Sequence, residues 1–137
     1  MTRRAILLGS AAAATVLLAL RARAAPTEQS EFIEAAFRMR DDAVRAGDQP
    51  YGAVLVKDGR IIGFGPSRVV LKNDQSAHAE REAIREAQAR LGRSDLSGAV
   101  LYSSSRPCAL CEAAAARANV ARMIHGRGAT DAGRPRP

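Results

Sequence analysis

The order of elements legible in this sequence predicts an α/β domain of three layers, α/β/α, built around a mixed central sheet. Three observations carry that prediction. An apolar stripe at helical spacing runs over residues 31–45, the pair Asp58-Gly59 sits between two short apolar runs, and two later apolar runs flank an alanine-rich segment. A hairpin makes the first two strands antiparallel, and a strand-helix-strand unit makes the last two parallel, so the sheet is mixed and helices cover both faces.

In the first helix Phe32, Ile33, Ala36, Phe37, Ala43 and Val44 form the stripe, with Glu34, Arg38, Asp41 and Asp42 outside it and Gly47 able to end it. Ala53-Val54-Leu55-Val56 and Ile61-Ile62-Gly63-Phe64 then flank Lys57-Asp58-Gly59-Arg60, a strong two-residue hairpin signal. Residues 65–75 read as a polar loop. A second helix follows from about Ala77 to Leu91, with Ile84, Ala87 and Leu91 inward and Gly92 closing it. Ala99-Val100-Leu101-Tyr102 reads as a buried strand, followed by a cysteine-bearing turn, a helix to about Ala118, and a strand from Val120 to His125. Residues 127–137 are rich in Gly, Arg and Pro and read as a disordered tail.

Residues 1–25 read as a targeting segment. Arg3-Arg4 precedes 16 apolar or small residues from Ala5 to Leu20, and Ala22-Arg23-Ala24 offers a cleavage site. The apolar run is short of the ~20 residues of a spanning helix, which favours a signal peptide of twin-arginine type over an anchor. The mature protein is then expected to be periplasmic or secreted, without a membrane partner. Without Arg3, Arg4, Arg21 and Arg23 the 21 basic side chains fall to 17 against 14 acidic ones, a charge of +3 rather than +7. That balance, with no tryptophan and few aromatic residues, argues against a nucleic-acid partner.

The chemistry lies in two short motifs, Ser76-Ala77-His78-Ala79-Glu80 and Pro107-Cys108-Ala109-Leu110-Cys111. One histidine and two cysteines supply three zinc ligands and leave the open fourth position of a catalytic rather than a structural site. Glu80, two residues past His78, is too close to be an ordinary further ligand and is placed to take and return a proton. Cys108 and Cys111 share a helix face at i and i+3, and Pro107 suits the first helical position. Taken singly, His78 reads as a satisfied histidine and Glu80 as a solvated helix charge; the paired motifs reverse that. A dithiol redox pair at Cys108 and Cys111 is a further reading, but it leaves His78-Ala79-Glu80 unexplained.

Over residues 31–126 the sequence resembles the zinc-dependent cytidine and purine deaminases, whose signature is H-x-E followed by P-C-x-x-C. Pro50-Tyr51-Gly52-Ala53-Val54-Leu55-Val56 and Asn73-Asp74-Gln75-Ser76-Ala77-His78-Ala79-Glu80 look most like the guanine deaminase and tRNA adenosine deaminase branch. The resemblance implies a cytidine-deaminase-like fold over residues 26–126, zinc at His78, Cys108 and Cys111, and Glu80 as the catalytic proton carrier. It implies a small nucleobase or nucleoside as substrate, guanine to xanthine first, and a homodimer. Export argues against tRNA as substrate. Ser67 falls where the branch has a substrate-binding asparagine, and Thr130-Asp131-Ala132 resembles a run in guanine deaminases whose aspartate contacts the base. Ser105-Arg106 stands where family members carry a polar-acidic pair. Only 26 residues follow Cys111, so the fold is expected to be C-terminally shortened. Two other classes stay open: a zinc-binding remnant without turnover and a periplasmic dithiol protein.

Overall fold

A computed structural model describes residues 27–137; the segment read as a signal peptide lies outside the described residues. Helix α1 spans Glu28–Arg45 and starts at Thr27, whose hydroxyl accepts the amide of Ser30 at 3.1 Å. Glu28 and Glu31 in its first turn and Arg45 in its last suit the helix dipole. Strands β1 (Gly52–Lys57) and β2 (Arg60–Pro66) form the expected hairpin. Asp58 and Gly59 hold φ of 50° and 71°, the two left-handed positions that such a turn requires.

The segment read as a loop contains a short helix, α2 (Val69–Lys72), whose first amides need a partner that local sequence did not reveal. Helix α3 (Ala79–Leu91), strand β3 (Val100–Ser103), helix α4 (Ala109–Arg117) and strand β4 (Arg122–His125) follow as expected. Leu91 departs from its inward assignment: it is 39% exposed at the last position of α3.

The tail differs more. Thr130–Gly133 form strand β5, antiparallel to β4, reached through a turn in which the amide of Ala129 bonds the carbonyl of Gly126 at 2.9 Å. Pro135 is buried, and Arg136 pairs with Glu112 at 2.9 Å. Composition suggested disorder here because the segment is rich in Gly, Arg and Pro, whereas a strand of mostly exposed residues forms through its pairing with β4.

The sheet order is β2-β1-β3-β4-β5, with β3 and β4 parallel and the other pairs antiparallel. Alternation along the strands divides the core. Val54, Val56, Tyr102 and Ile124 meet Ile33 and Phe37 of α1, while Ala53, Leu55, Leu101 and Met123 meet Ala83, Ala87 and Ala115 of α3 and α4. The result is the three-layer α/β/α arrangement.

Helix α3 lies unusually close to β2. A Cβ at Gly63 would stand 2.1 Å from the carbonyl oxygen of Ala83, and one at Gly65 would stand 2.0 Å from that of Ala79. Glycines on the strand and alanines on the helix therefore set the depth at which the start of α3 rests on the sheet.

Candidate metal centre and active site

Two helix starts carry the donor set. His78 is the N-cap of α3 in extended backbone, φ −63° and ψ 151°, and Cys108 is the N-cap of α4, φ −72° and ψ 167°. Pro107 therefore precedes the cap instead of occupying the first helical position. The reason lies in Cys108 itself, whose Sγ accepts the amide of Cys111 at 3.4 Å and so starts the helix.

His78 Nδ1 lies 3.7 Å from Cys108 Sγ and 3.4 Å from Cys111 Sγ. The three donor atoms lie within 4.8 Å of one another. Tetrahedral zinc with Zn–S of about 2.3 Å and Zn–N of about 2.05 Å separates nitrogen and sulfur by about 3.6 Å, so the donors already stand at the spacing the ion needs. Imidazole nitrogen and two sulfurs are the chemistry zinc prefers, and the three residues are positioned to bind it.

Glu80, in the first turn of α3, is only 6% exposed. Burial raises its carboxyl above the ordinary range, against the opposing effects of its backbone amide, the Cys111 thiol and His78. Burial likewise raises the Cys111 thiol, and the neighbouring Glu80 charge adds to this, so without a cation Cys111 is held as a thiol. A cation held by these donors would favour the charged forms of both groups.

A cavity of about 290 Å³ opens on this group. His78, Glu80 and Cys108 line it beside Gln49, Tyr51, Ser105 and Arg106. The structure thus brings four of the sequence-predicted residues together: the three ligands and Glu80.

It does not bring Ser67 and Asp131 there. Ser67 is 1% exposed and its hydroxyl donates to Asp48 Oδ1 at 2.9 Å, which leaves it facing a carboxylate, not the cavity. Asp131 is on β5, exposed, paired with Arg122 and accepting the amide of Gly133 at 2.8 Å. Neither is among the residues lining the cavity.

Sequence reasoning missed Asp48. Its Oδ2 accepts the amides of Val70 at 3.0 Å and Leu71 at 2.9 Å, and its Oδ1 accepts Gln49 at 2.8 Å. It thereby supplies the partner α2 needs and fixes the backbone of Gln49, which lines the cavity. Burial alone would raise the Asp48 carboxyl, but those amides and the Ser67 hydroxyl outweigh it and hold it below the ordinary value. A lone aspartate after Gly47 carries no spacing signal. Tyr51 and Gln49 were findable only as neighbours of Pro50 in the family-like stretch.

Residues 26–127 match the family described as cytidine and deoxycytidylate deaminase zinc-binding region. Among curated relatives, the tRNA-specific adenosine deaminase of Agrobacterium fabrum is 40% identical over 99 residues, 72% of this chain and 65% of that protein. The guanine deaminase of Bacillus subtilis is 44% identical over 81 residues, 58% of this chain and 52% of that one. The X-ray structure of guanine deaminase from Bacillus subtilis superposes with a TM-score of 0.68 at 39% identity, covering 70% of this chain and 62% of its own. The chain thus spans between about half and two thirds of the length of these relatives.

Proposed function

This chain belongs to the cytidine and deoxycytidylate deaminase zinc-binding family, and from that premise we propose that it is a zinc-dependent hydrolytic deaminase of a purine base or nucleoside. Guanine to xanthine, with release of ammonia, is the favoured reaction, and a homodimer the favoured assembly. One observation carries the proposal: the donors of His78, Cys108 and Cys111 converge, and two of them, His78 and Cys108, line a cavity together with the buried Glu80.

When bound there, zinc supplies Lewis-acid activation that makes water a nucleophile at neutral pH. His78 Nδ1 and the sulfurs of Cys108 and Cys111 would hold the ion, and His78 and Cys108 also line the cavity. The Glu80 carboxylate takes a proton from water and returns it, first to a ring nitrogen and then to the departing amine. Its burial keeps that proton from bulk solvent. Tyr51 and Gln49 form the wall against which a flat base can lie.

Relatives of both kinds, acting on guanine and on tRNA adenosine, lie at comparable identity. The export reading of Arg3-Arg4 supports a free base or nucleoside outside the cytoplasm over tRNA. A second reading, a zinc-binding remnant without turnover, draws support from Ser67 and Asp131, whose side chains are engaged away from the cavity. Zinc content of the never-chelated protein, together with ammonia release from guanine, adenine, cytosine and their nucleosides, separates the two. Zinc with ammonia sustains the enzyme; zinc without ammonia sustains the remnant.

A further inference from the structure

Helix α3 carries two carboxylates in its first turn, and the reaction above uses only one of them. Two residues along a helix turn a side chain by about 200°, so where Glu80 faces the donor cluster, Glu82 faces away from it, toward α2. Glu82 is 7% exposed, and both of its oxygens are taken. Oε2 accepts Lys72 Nζ at 2.7 Å, with Arg68 Nε at 3.9 Å, and Oε1 accepts Arg85 Nη1 at 2.8 Å. Burying a charge is costly unless it is paired and hydrogen-bonded, and this one is held on both sides.

The far end of the network reaches the segment that delivers His78. The other arm of the Arg85 guanidinium, Nη2, donates to Ser76 Oγ at 2.9 Å, while Nη1 stands 3.8 Å from Asp74 Oδ2. Asp74 Oδ1 in turn accepts the amide of Ser76 at 2.8 Å, and the Asp74 carbonyl accepts the amide of Ala77 at 3.0 Å. Arg85 thus clamps Asp74 and Ser76 just ahead of His78, and Glu82 fixes the plane of its fork. The imidazole depends on that support. As the N-cap of α3, His78 makes no side-chain cap bond, and among the described residues its ring has only the sulfurs of Cys108 and Cys111 at hydrogen-bond range. The ring is therefore aimed by the backbone that carries it, which Ser76 anchors.

We propose that Glu82 is a positioning residue of the metal centre: by orienting Arg85 on Ser76 it fixes the backbone from which His78 reaches the ion. The assignment rests on the deaminase reading of the same site and extends it to a residue that does not line the cavity.

The test reads metal binding rather than turnover. Zinc affinity is measured by competition with a chelating dye, and Co²⁺ is loaded in place of zinc so that its visible absorption reports the geometry of the donors. Glu82→Met keeps the length of the side chain and removes both acceptors; it should lower zinc affinity about tenfold and shift the Co²⁺ bands. Glu82→Gln keeps one acceptor oxygen and should restore part of the loss. Ser76→Ala breaks only the far end and should give the same change in smaller measure, and added to Glu82→Met it should cost nothing further. Because Ser76→Ala leaves Glu82 paired, it decides the matter where Glu82→Met fails to fold. Ile33→Val, a core truncation on the opposite face of the sheet, is the control: it should lower Tm with zinc affinity and Co²⁺ spectrum unchanged. If Glu82→Met lowers Tm in the same way and leaves affinity and spectrum at wild-type values, or if Ser76→Ala changes neither, Glu82 serves only the stability of the fold and the proposal is overturned. Ammonia release by the wild type is read separately, so weakened zinc binding in the variants of a protein that releases no ammonia sustains the positioning role and refutes the deaminase reading.

Discussion

Gly65→Ala tests how the sheet sets the metal site. The new Cβ would stand 2.0 Å from the carbonyl oxygen of Ala79 and 2.6 Å from the amide nitrogen of Ala83. Both are backbone atoms of α3 and cannot rotate aside, so the helix must lift off β2 by roughly 1 Å, an overpacking expected to cost about 1–3 kcal/mol. For a domain of this size that is a fall in Tm of roughly 4–12 °C. Ala79 lies between His78 and Glu80, so the displacement reaches both. His78 Nδ1, now 3.4 Å from Cys111 Sγ, would leave the tetrahedral spacing by far more than the ~0.2 Å such sites tolerate. Zinc affinity, measured by competition with a chelating dye, should fall about 10- to 100-fold. Gly128→Ala is the control, because a Cβ there meets nothing within 4 Å. If Gly65→Ala matches the wild type in both Tm and zinc affinity, the contact between β2 and α3 does not set the site.

Asp48→Asn replaces an acceptor of three amides by a group whose own N–H₂ faces a donor, and should cost about 1–3 kcal/mol in urea unfolding. Because the folded carboxyl lies below its ordinary value of 3.8, its stabilisation is present above that pH and lost as pH falls through the folded value; Asp48→Asn should flatten the acid limb of stability, and an unchanged slope would remove Asp48 from the account. Chelating the metal should lower Tm in proportion to the logarithm of free zinc, with the exposed Cys108 thiol becoming titratable by a thiol reagent; a Tm indifferent to chelator would mean the cluster holds no ion. Lysine at Arg3 and Arg4 should strand the protein inside the cell, and mass spectrometry of the exported form should find a start just after Ala24 or Ala25; an intact Met1 there points to an anchor.

The metal site was legible because its information is local. His78 and Glu80 are two residues apart, Cys108 and Cys111 three apart, and each pair begins a helix whose apolar pattern is itself local. The hairpin was legible for the same reason, since Asp58-Gly59 specifies its own turn. Asp48 was not, because its meaning arises from Ser67, Val70 and Leu71, which reach it only after β1 and β2 fold back. Strand β5 was hidden likewise: Thr130 to Gly133 have no apolar alternation, and their order comes from register with Met123 to His125. The roles first given to Ser67 and Asp131 came from likeness of neighbours in sequence. In the fold, one hydroxyl faces Asp48 and the other side chain faces Arg122.

Glu80→Gln tests the central claim most directly, because a proton carrier that is not a ligand can be removed without dismantling the donor cluster. Zinc stoichiometry and ammonia release from guanine are measured on the same preparations of wild type and variant. The account predicts one zinc per chain in both, with ammonia release reduced by roughly 10²–10⁴-fold in the variant. Equal loss of zinc would make Glu80 a structural part of the metal site, and undiminished ammonia release with zinc retained would contradict its role as the proton carrier.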